Sequence, residues 1–196
     1  MTGFSLETRR NIFHLVLGML VVAGIYLGVL DVWIVLAVVL VGFLISAASR
    51  KRPLPIIGWF LRHFERQHDI DAGIPGRGAL FFGVGLLLTM ALFETDIVLA
   101  SITVFVLADS ISPLVGVKIG KVRHPLSDEK FLEGSMAGFL FAFLGASLFV
   151  SPIEALLASL FANVIEAIDF IKGRRIEDNV TMPLVASITI SLLRML

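Results

Sequence analysis

The stretch Val32–Ala48 reads VWIVLAVVLVGFLISAA and contains no charged side chain. The hydrocarbon core of a bilayer is about 30 Å thick, and about 20 apolar residues in helical form cross it. Backbone groups in hydrocarbon must be hydrogen-bonded within their own segment, so a run of this kind predicts a transmembrane helix. The other long apolar runs of the chain predict helices for the same reason.

The composition around this run is that of a membrane protein. Of 196 residues, 57% are hydrophobic and 16% are charged, whereas an ordinary soluble domain has roughly 25% charged residues. The predicted fold is therefore an all-α integral membrane protein, with about seven transmembrane helices in one bundle and a single domain over residues 1–196. We place the spans over 11–30, 32–48, 78–93, 97–117, 134–150, 152–171 and 180–196. Glycines in the third and fifth spans predict close contacts between helices.

Lys and Arg residues gather in alternate loops. With seven spans, each of them except Arg194 falls on one side of the membrane, and short cytoplasmic loops hold such an excess. We therefore expect a cytoplasmic N-terminus and a polar site on the cytoplasmic face. The longest polar stretch, 49–77, is expected to lie in the membrane interface, either as an anchored loop or with a direct part in catalysis.

Two features of the composition exclude classes of function. The formal net charge is zero, so the chain has no overall field that would attract nucleic acid. The chain has no cysteine, which excludes disulfides, thiolate catalysis and cysteine metal sites.

Ionisable residues inside apolar spans are costly and mark functional sites by default. In the first span, Arg10 and His14 share a helical face with Glu7, although a Glu–Arg pair at a helix start is also common. In the fourth span, Asp109 lies on one stripe with Gly116 and Gly120. Small residues after Asp109 leave room for a ligand to approach the backbone.

Two further polar sets lie near the same predicted membrane face. Lys130, Glu133 and Ser135 lead into the fifth span, where helix capping explains the preceding acids but not these three. The sixth span carries Asn163, Glu166 and Asp169, which need interior partners. Glu177, Asp178 and Asn179 then precede the last span, and capping of that helix is the alternative for the last two.

Carboxylates from several segments are thus expected to meet Lys and Arg side chains at one face of the membrane. Acidic groups that hold Mg²⁺ and basic groups that hold phosphate oxygens are what phosphoryl transfer from a nucleotide needs. Magnesium fits better than zinc, because oxygen ligands are plentiful and the histidines are scattered. A site at headgroup level favours an amphiphilic acceptor in the lipid bilayer.

Five ordered motifs carry a resemblance to a known family. They are ETRRNIFHLVLG (Glu7–Gly18), PGRGA (Pro75–Ala79), DSISPLVGVKIGK (Asp109–Lys121), KFLEGSMA (Lys130–Ala137) and EDNVTMP (Glu177–Pro183). Together they resemble the CTP-dependent lipid alcohol kinases, the family of dolichol kinase, phytol kinase and CTP-dependent diacylglycerol kinase. The resemblance implies transfer of the γ-phosphate of CTP to the hydroxyl of a membrane lipid, with a divalent cation.

The resemblance also implies roles for individual residues. Asp109, Glu133 and Asp178 correspond to the acidic set around metal and phosphates, and Asp109 or Glu133 would orient or deprotonate the lipid hydroxyl. The expected catalytic residues are Asp109, Glu133 and His14. Residues expected to bind the nucleotide are Arg10, Arg77, Gly116, Gly120, Lys121, Lys130, Ser135 and Asn179.

Two other functions stay open from the sequence. A CTP:phosphatidate cytidylyltransferase-like enzyme would use the same donor but release diphosphate, and a small ion-coupled transporter would use intramembrane acids as a proton relay. Polyprenol, phytol, geranylgeraniol and diacylglycerol are all compatible acceptors. A homo-oligomer is also left open.

Overall fold

The computed structural model describes residues 6–51, 75–127, 130–168, 170–171, 174–175 and 177–196. This part of the chain is helical, with seven α-helices and one pair of two-residue strands. The elements in chain order are α1 (Leu6–Tyr26), α2 (Val32–Lys51), α3 (Arg77–Leu92), α4 (Thr95–Ile119), α5 (Leu132–Ala146), α6 (Pro152–Ala167), β1 (Phe170–Ile171), β2 (Arg174–Arg175) and α7 (Asp178–Leu193).

Among the described residues, three helices are long and apolar enough to cross a bilayer, by length and composition. They are α1, α2 and α4. The others have 15 or 16 residues, which at 1.5 Å per residue gives about 23 Å of helix. The interfacial segment expected over 49–77 falls mostly on residues outside the described ranges.

The sixth span is shorter than predicted. Its helix, α6, ends at Ala167, and Phe170–Ile171 pair with Arg174–Arg175 as antiparallel strands. The prediction of helix as far as residue 171 was therefore wrong, because strand pairing satisfies the backbone of this short apolar stretch equally well.

Local signals set the helix boundaries. Gly28, between α1 and α2, has a φ of 69°, the left-handed conformation that glycine adopts at the end of a helix. The Asp31 side chain then accepts a hydrogen bond from the Ile34 N–H at 2.8 Å and caps α2. Ser151 and Glu154 form a capping box at the start of α6, with Pro152 in the first turn.

Helix α4 occupies the centre of the bundle. Ile102, Val104, Phe105 and Val106 are fully buried in it, and it packs against α1, α5, α6 and α7. In contrast, α1 and α2 expose most of their apolar surface. Helices α4 and α7 each contain an internal proline, Pro113 and Pro183.

Glycines allow α5 to lie directly on α4. A Cβ atom at Gly138 would collide with the Ser112 hydroxyl oxygen and lie 3.0 Å from the Ala108 carbonyl oxygen. At Gly145 it would lie 2.7 Å from Cγ2 of Thr103. The expected close packing of the fifth span is thus confirmed, and these contacts make α4 and α5 antiparallel.

The helix contacts define two polar ends of the bundle. His14 of α1, Asp109 of α4 and Glu166 of α6 lie at one end, here named the site end. Arg194 lies at the other, the far end, where its guanidinium contacts Asp96 at 2.6 Å, Glu154 at 2.8 Å and Glu94 at 3.5 Å. Charged residues that are distant in sequence are therefore gathered by the alternating direction of the helices.

Candidate functional site

His14 and Asp109 face each other across the contact between α1 and α4. The Nε2 atom of His14 lies 3.5 Å from Oδ2 of Asp109, and their side chains are 23% and 33% exposed. The His14 ring meets Phe82 and Phe105 edge-on, with centroid distances of 5.6 Å and 5.3 Å. Aromatic rings thus hold the imidazole beside a carboxylate that solvent or a ligand can reach.

The backbone packing explains why these two residues meet. Gly18 lies one turn after His14, and a Cβ atom there would come 2.6 Å from Cγ1 of Val106. The absence of a side chain at Gly18 lets α1 approach α4 closely, which brings the next polar residues of both helices together.

A second polar group links α4, α6 and the segment before α5. Glu166 is only 2% exposed, and its carboxylate accepts a hydrogen bond from the Ser112 hydroxyl at 3.1 Å. The other carboxylate oxygen lies 3.3 Å from Nζ of Lys130, and the Lys130 ammonium also donates to the Glu166 main-chain carbonyl. Ser112 follows Asp109 by one helical turn, so both polar groups lie on neighbouring parts of α4.

Glu166 is the main residue of this end that sequence reasoning left out of the predicted site. An acid inside an apolar span was a sufficient signal to single it out. Its partner, however, is 36 residues away in sequence, and no local pattern indicates which cation an intramembrane acid will meet.

Ser135 and Asn163 join α5 to α6 nearby. The Asn163 side chain donates to the Ser135 carbonyl at 2.9 Å. The Ser135 hydroxyl is buried and has no hydrogen-bond partner among the described residues. Ser135, one of the residues predicted to bind the nucleotide, thus lies at the site end, in the first turn of α5.

Glu133 anchors the segment that connects α4 to α5. Its carboxylate accepts hydrogen bonds from the backbone N–H groups of Lys121 at 3.0 Å and Val122 at 3.2 Å. Glu133 lies just before the span predicted over 134–150.

The two described parts of the same segment pair with each other through an antiparallel bridge between Arg123 and Phe131. Lys130 accepts a hydrogen bond from the His124 N–H at 3.0 Å, and Val122 accepts one from the Leu132 N–H at 2.9 Å. The Arg123 guanidinium lies over the Phe131 ring, 4.6 Å from its centroid. Lys121 lies at the start of this segment with an exposed side chain.

Gly116 and Gly120 have a packing role that sequence reasoning did not anticipate. A Cβ atom at Gly120 would lie 2.6 Å from Cβ of Phe131, and one at Gly116 would lie 3.7 Å from Cα of Gly134. Both glycines therefore face the α5 side of the site end. Their contact with a nucleotide stays a prediction.

Arg77 and Asn179 belong to the contact between α3 and α7. The Arg77 guanidinium pairs with the Glu177 carboxylate immediately before α7. The backbone of Gly85 in α3 approaches the backbone of Asn179 and Val180 so closely that a Cβ atom would not fit. Asp178 opens α7 at this contact. Arg10 lies on α1, 4.0 Å from Glu7 and 3.4 Å from the Asn11 side chain.

The predicted acidic set is not assembled as a metal cage. Among the described residues, no group of three or more His, Asp or Glu is placed to hold a metal ion. Asp109 faces His14, Glu133 binds backbone N–H groups, and Asp178 lies at the α3–α7 contact, so the three do not form one group. Mg²⁺ in nucleotide enzymes is commonly bound by one or two carboxylates together with substrate phosphates, and the partly exposed Asp109 carboxylate fits that kind of site.

Two relatives cover nearly the whole chain. An uncharacterized protein of Methanocaldococcus jannaschii is 27% identical over 189 residues, which span 94% of this chain and 93% of the relative. An uncharacterized protein of Rickettsia prowazekii is 27% identical over 199 residues, with 92% and 91% covered. No family model and no solved structure matches. The chain is thus similar, over nearly its whole length, to a protein of an archaeon and to a protein of a bacterium.

Proposed function

We propose that this chain is a multi-pass membrane enzyme that transfers the γ-phosphate of CTP to the hydroxyl of a membrane lipid alcohol. The products are a lipid monophosphate and CDP. The proposal rests on one observation above all: two polar groups meet α4 one helical turn apart. The His14–Asp109 pair includes Asp109 of α4, and the Lys130–Glu166 pair is bonded to Ser112 of α4. Phosphoryl transfer needs an acidic group for the acceptor hydroxyl and cations for the phosphates.

The membrane arrangement is part of the proposal. The seven described helices would be seven spans, with the site end in the cytoplasm. The Lys and Arg distribution and the alternating helix directions support this topology. The shorter helices α3, α5, α6 and α7 would cross where the bilayer is locally thinned, which costs a fraction of a kcal/mol per ångström of mismatch.

Asp109 is the residue best suited to act on the acceptor hydroxyl. Its carboxylate is partly exposed and lies beside His14, whereas the Glu133 carboxylate is engaged by two backbone N–H groups. In the reaction, the lipid oxygen forms a bond to the γ-phosphorus while the bond to the β,γ-bridging oxygen breaks. Asp109 accepts the hydroxyl proton, and CDP leaves.

The basic residues act on the donor side. Lys121 and Lys130 stabilise charge on the phosphates, with Arg10, Arg77, Ser135 and Asn179 as further predicted contacts of the nucleotide. A bound Mg²⁺ would neutralise negative charge on the phosphate oxygens, and Asp109 would hold it through its hard carboxylate oxygens together with the substrate phosphates.

The decisive assay uses purified protein with CTP labelled at the γ or the α position and a panel of lipid alcohols plus phosphatidate. We expect label from the γ position alone in the lipid product. Label from the α position would indicate CDP-lipid synthesis instead. No label from either position would contradict both.

Asp109→Asn tests the residue assigned to the acceptor. We expect turnover to fall about 100-fold or more, as for loss of a catalytic base. Glu94→Gln is the matched control, because it makes the same carboxylate-to-amide change at the far end in a side chain that is 82% exposed. Near-normal turnover of Asp109→Asn would contradict the assignment.

A further inference from the structure

Glu166 is a buried carboxylate held between three segments of the chain. It lies in α6, accepts a hydrogen bond from Ser112 of α4, and pairs with Lys130 from the segment before α5. Taking a carboxylate and an ammonium out of water costs several kcal/mol per ion, and an apolar pair of similar volume would often stabilise a fold equally well. Stability alone is therefore a weak reason for this pair to be present.

The pair is unequal in its exposure. The Glu166 side chain is 3% exposed, whereas the Lys130 side chain is 26% exposed. The ammonium of Lys130 directs hydrogen bonds at both the carboxylate and the main-chain carbonyl of Glu166. Glu166 is thus the buried member of the pair, and Lys130 is the member that a ligand can reach.

The hydrogen bond from Ser112 ties this pair to the rest of the site. Ser112 lies three residues after Asp109, a rise of about 4.5 Å along α4. Fixing Glu166 on Ser112 therefore fixes the Lys130 ammonium at a set distance from Asp109. A long lysine side chain otherwise has considerable rotamer freedom, which would have to be lost on binding.

We propose that Glu166 is a positioning residue that holds the Lys130 ammonium at the edge of the site, oriented toward the phosphates of the nucleotide. This inference rests on the proposed function for its nucleotide, but the contact between Glu166 and Lys130 can be tested without turnover. Glu166 acts through Lys130 and touches no reacting atom.

The first test measures the reactivity of the Lys130 amine. Intact protein in detergent is treated briefly with an acetylating reagent, and modification at each lysine is quantified by peptide mass spectrometry. In Glu166→Gln we expect acetylation of Lys130 to rise about tenfold, because a charge-assisted hydrogen bond becomes a neutral one. Lys118, exposed at the end of α4, is the internal control and should not change. Unchanged reactivity of Lys130 would overturn the inference.

The second test is a double-mutant cycle on turnover. We expect Glu166→Gln to lower kcat about 10-fold to 100-fold, Glu166→Asp to recover part of that loss, and Lys130→Met/Glu166→Gln to be no slower than Lys130→Met. Losses that multiply in the double variant would overturn the inference. Lys130→Met alone leaves a buried carboxylate without its cation, so thermal unfolding is measured for each variant. If that variant does not fold, the double variant is compared with Glu166→Gln.

The outcomes separate this inference from the proposed function. A wild-type protein that transfers no label removes the proposed function, while Lys130 acetylation still decides whether Glu166 holds the ammonium. A wild-type protein that transfers label, with full turnover in Glu166→Gln, removes the positioning role and leaves the proposed function standing.

Discussion

His14 illustrates how one side chain of the site is supported by its neighbours. Its ring touches Phe82 and Phe105, and its Nε2 atom faces Asp109. Packing and chemistry are therefore carried by different parts of the same residue, which allows a substitution to remove one and keep the other.

His14→Phe keeps the aromatic packing and removes the imidazole nitrogen. We expect the midpoint of thermal unfolding in detergent to change little, because edge-on contacts between rings are preserved, and turnover to fall about tenfold to 100-fold. Tyr26→Phe, near the opposite end of α1, is the control and should retain turnover. Full activity of His14→Phe would exclude the imidazole from the reaction.

At the residue scale, sequence reasoning identified polar residues of the site end better than it identified their partners. His14, Asp109 and Lys130 were selected as intramembrane or near-membrane polar residues, and each has a polar or charged partner at the site end. The pairing of Lys130 with Glu166 depends on how α4, α5 and α6 pack in three dimensions. A single sequence contains the helical period of each segment but not the contacts between segments.

The helices themselves were largely predictable from the sequence. Each of the seven predicted spans coincides with a described helix to within five residues at either end. The error at the end of α6 arose because Phe170 and Ile171 extend an apolar run, and apolar character alone does not separate helix from a short strand. The close packing of α5 against another helix was predicted from the glycines of α5.

Gly138→Ala tests that packing. In most helices this change is stabilising by about 1 kcal/mol, but here the new Cβ would meet Ser112 and the Ala108 carbonyl. We expect a net loss of about 1–3 kcal/mol of stability from overpacking, measured as a lower unfolding midpoint. Turnover should fall as well, because Ser112 supports Glu166.

Gly78→Ala is the matched control for the effect of a Cβ atom in a helix. At this position a Cβ would make only an ordinary contact, 3.9 Å from the Asn179 side chain. A loss of stability in Gly78→Ala equal to that in Gly138→Ala would contradict close packing as the cause.

At the scale of the whole molecule, charge is divided between two ends. The site end carries His14, Asp109, Lys130 and Glu166, and the far end has one cation, Arg194, among the described residues, surrounded by three carboxylates. The proposed topology, in which the site end faces the cytoplasm, depends on this division.

Single cysteines can test that topology directly, because the chain contains none. In intact cells we expect Glu94→Cys to react with a membrane-impermeant maleimide, since this residue lies at the far end. Lys118→Cys, at the end of α4, should react only after the cells are permeabilised. The reverse pattern would invert the proposed orientation. Labelling of both cysteines in intact cells would contradict the placement of the two ends on opposite sides of the membrane.

The two prolines inside helices have a consequence for the site. A proline has no N–H, so the carbonyl four residues earlier loses the donor that the helix would supply. For Pro113 that carbonyl belongs to Asp109, and for Pro183 it belongs to Asn179. In both cases a main-chain oxygen of a predicted site residue keeps hydrogen-bonding capacity that the i+4 ladder does not use, and its geometry is set by the backbone without any side-chain torsion.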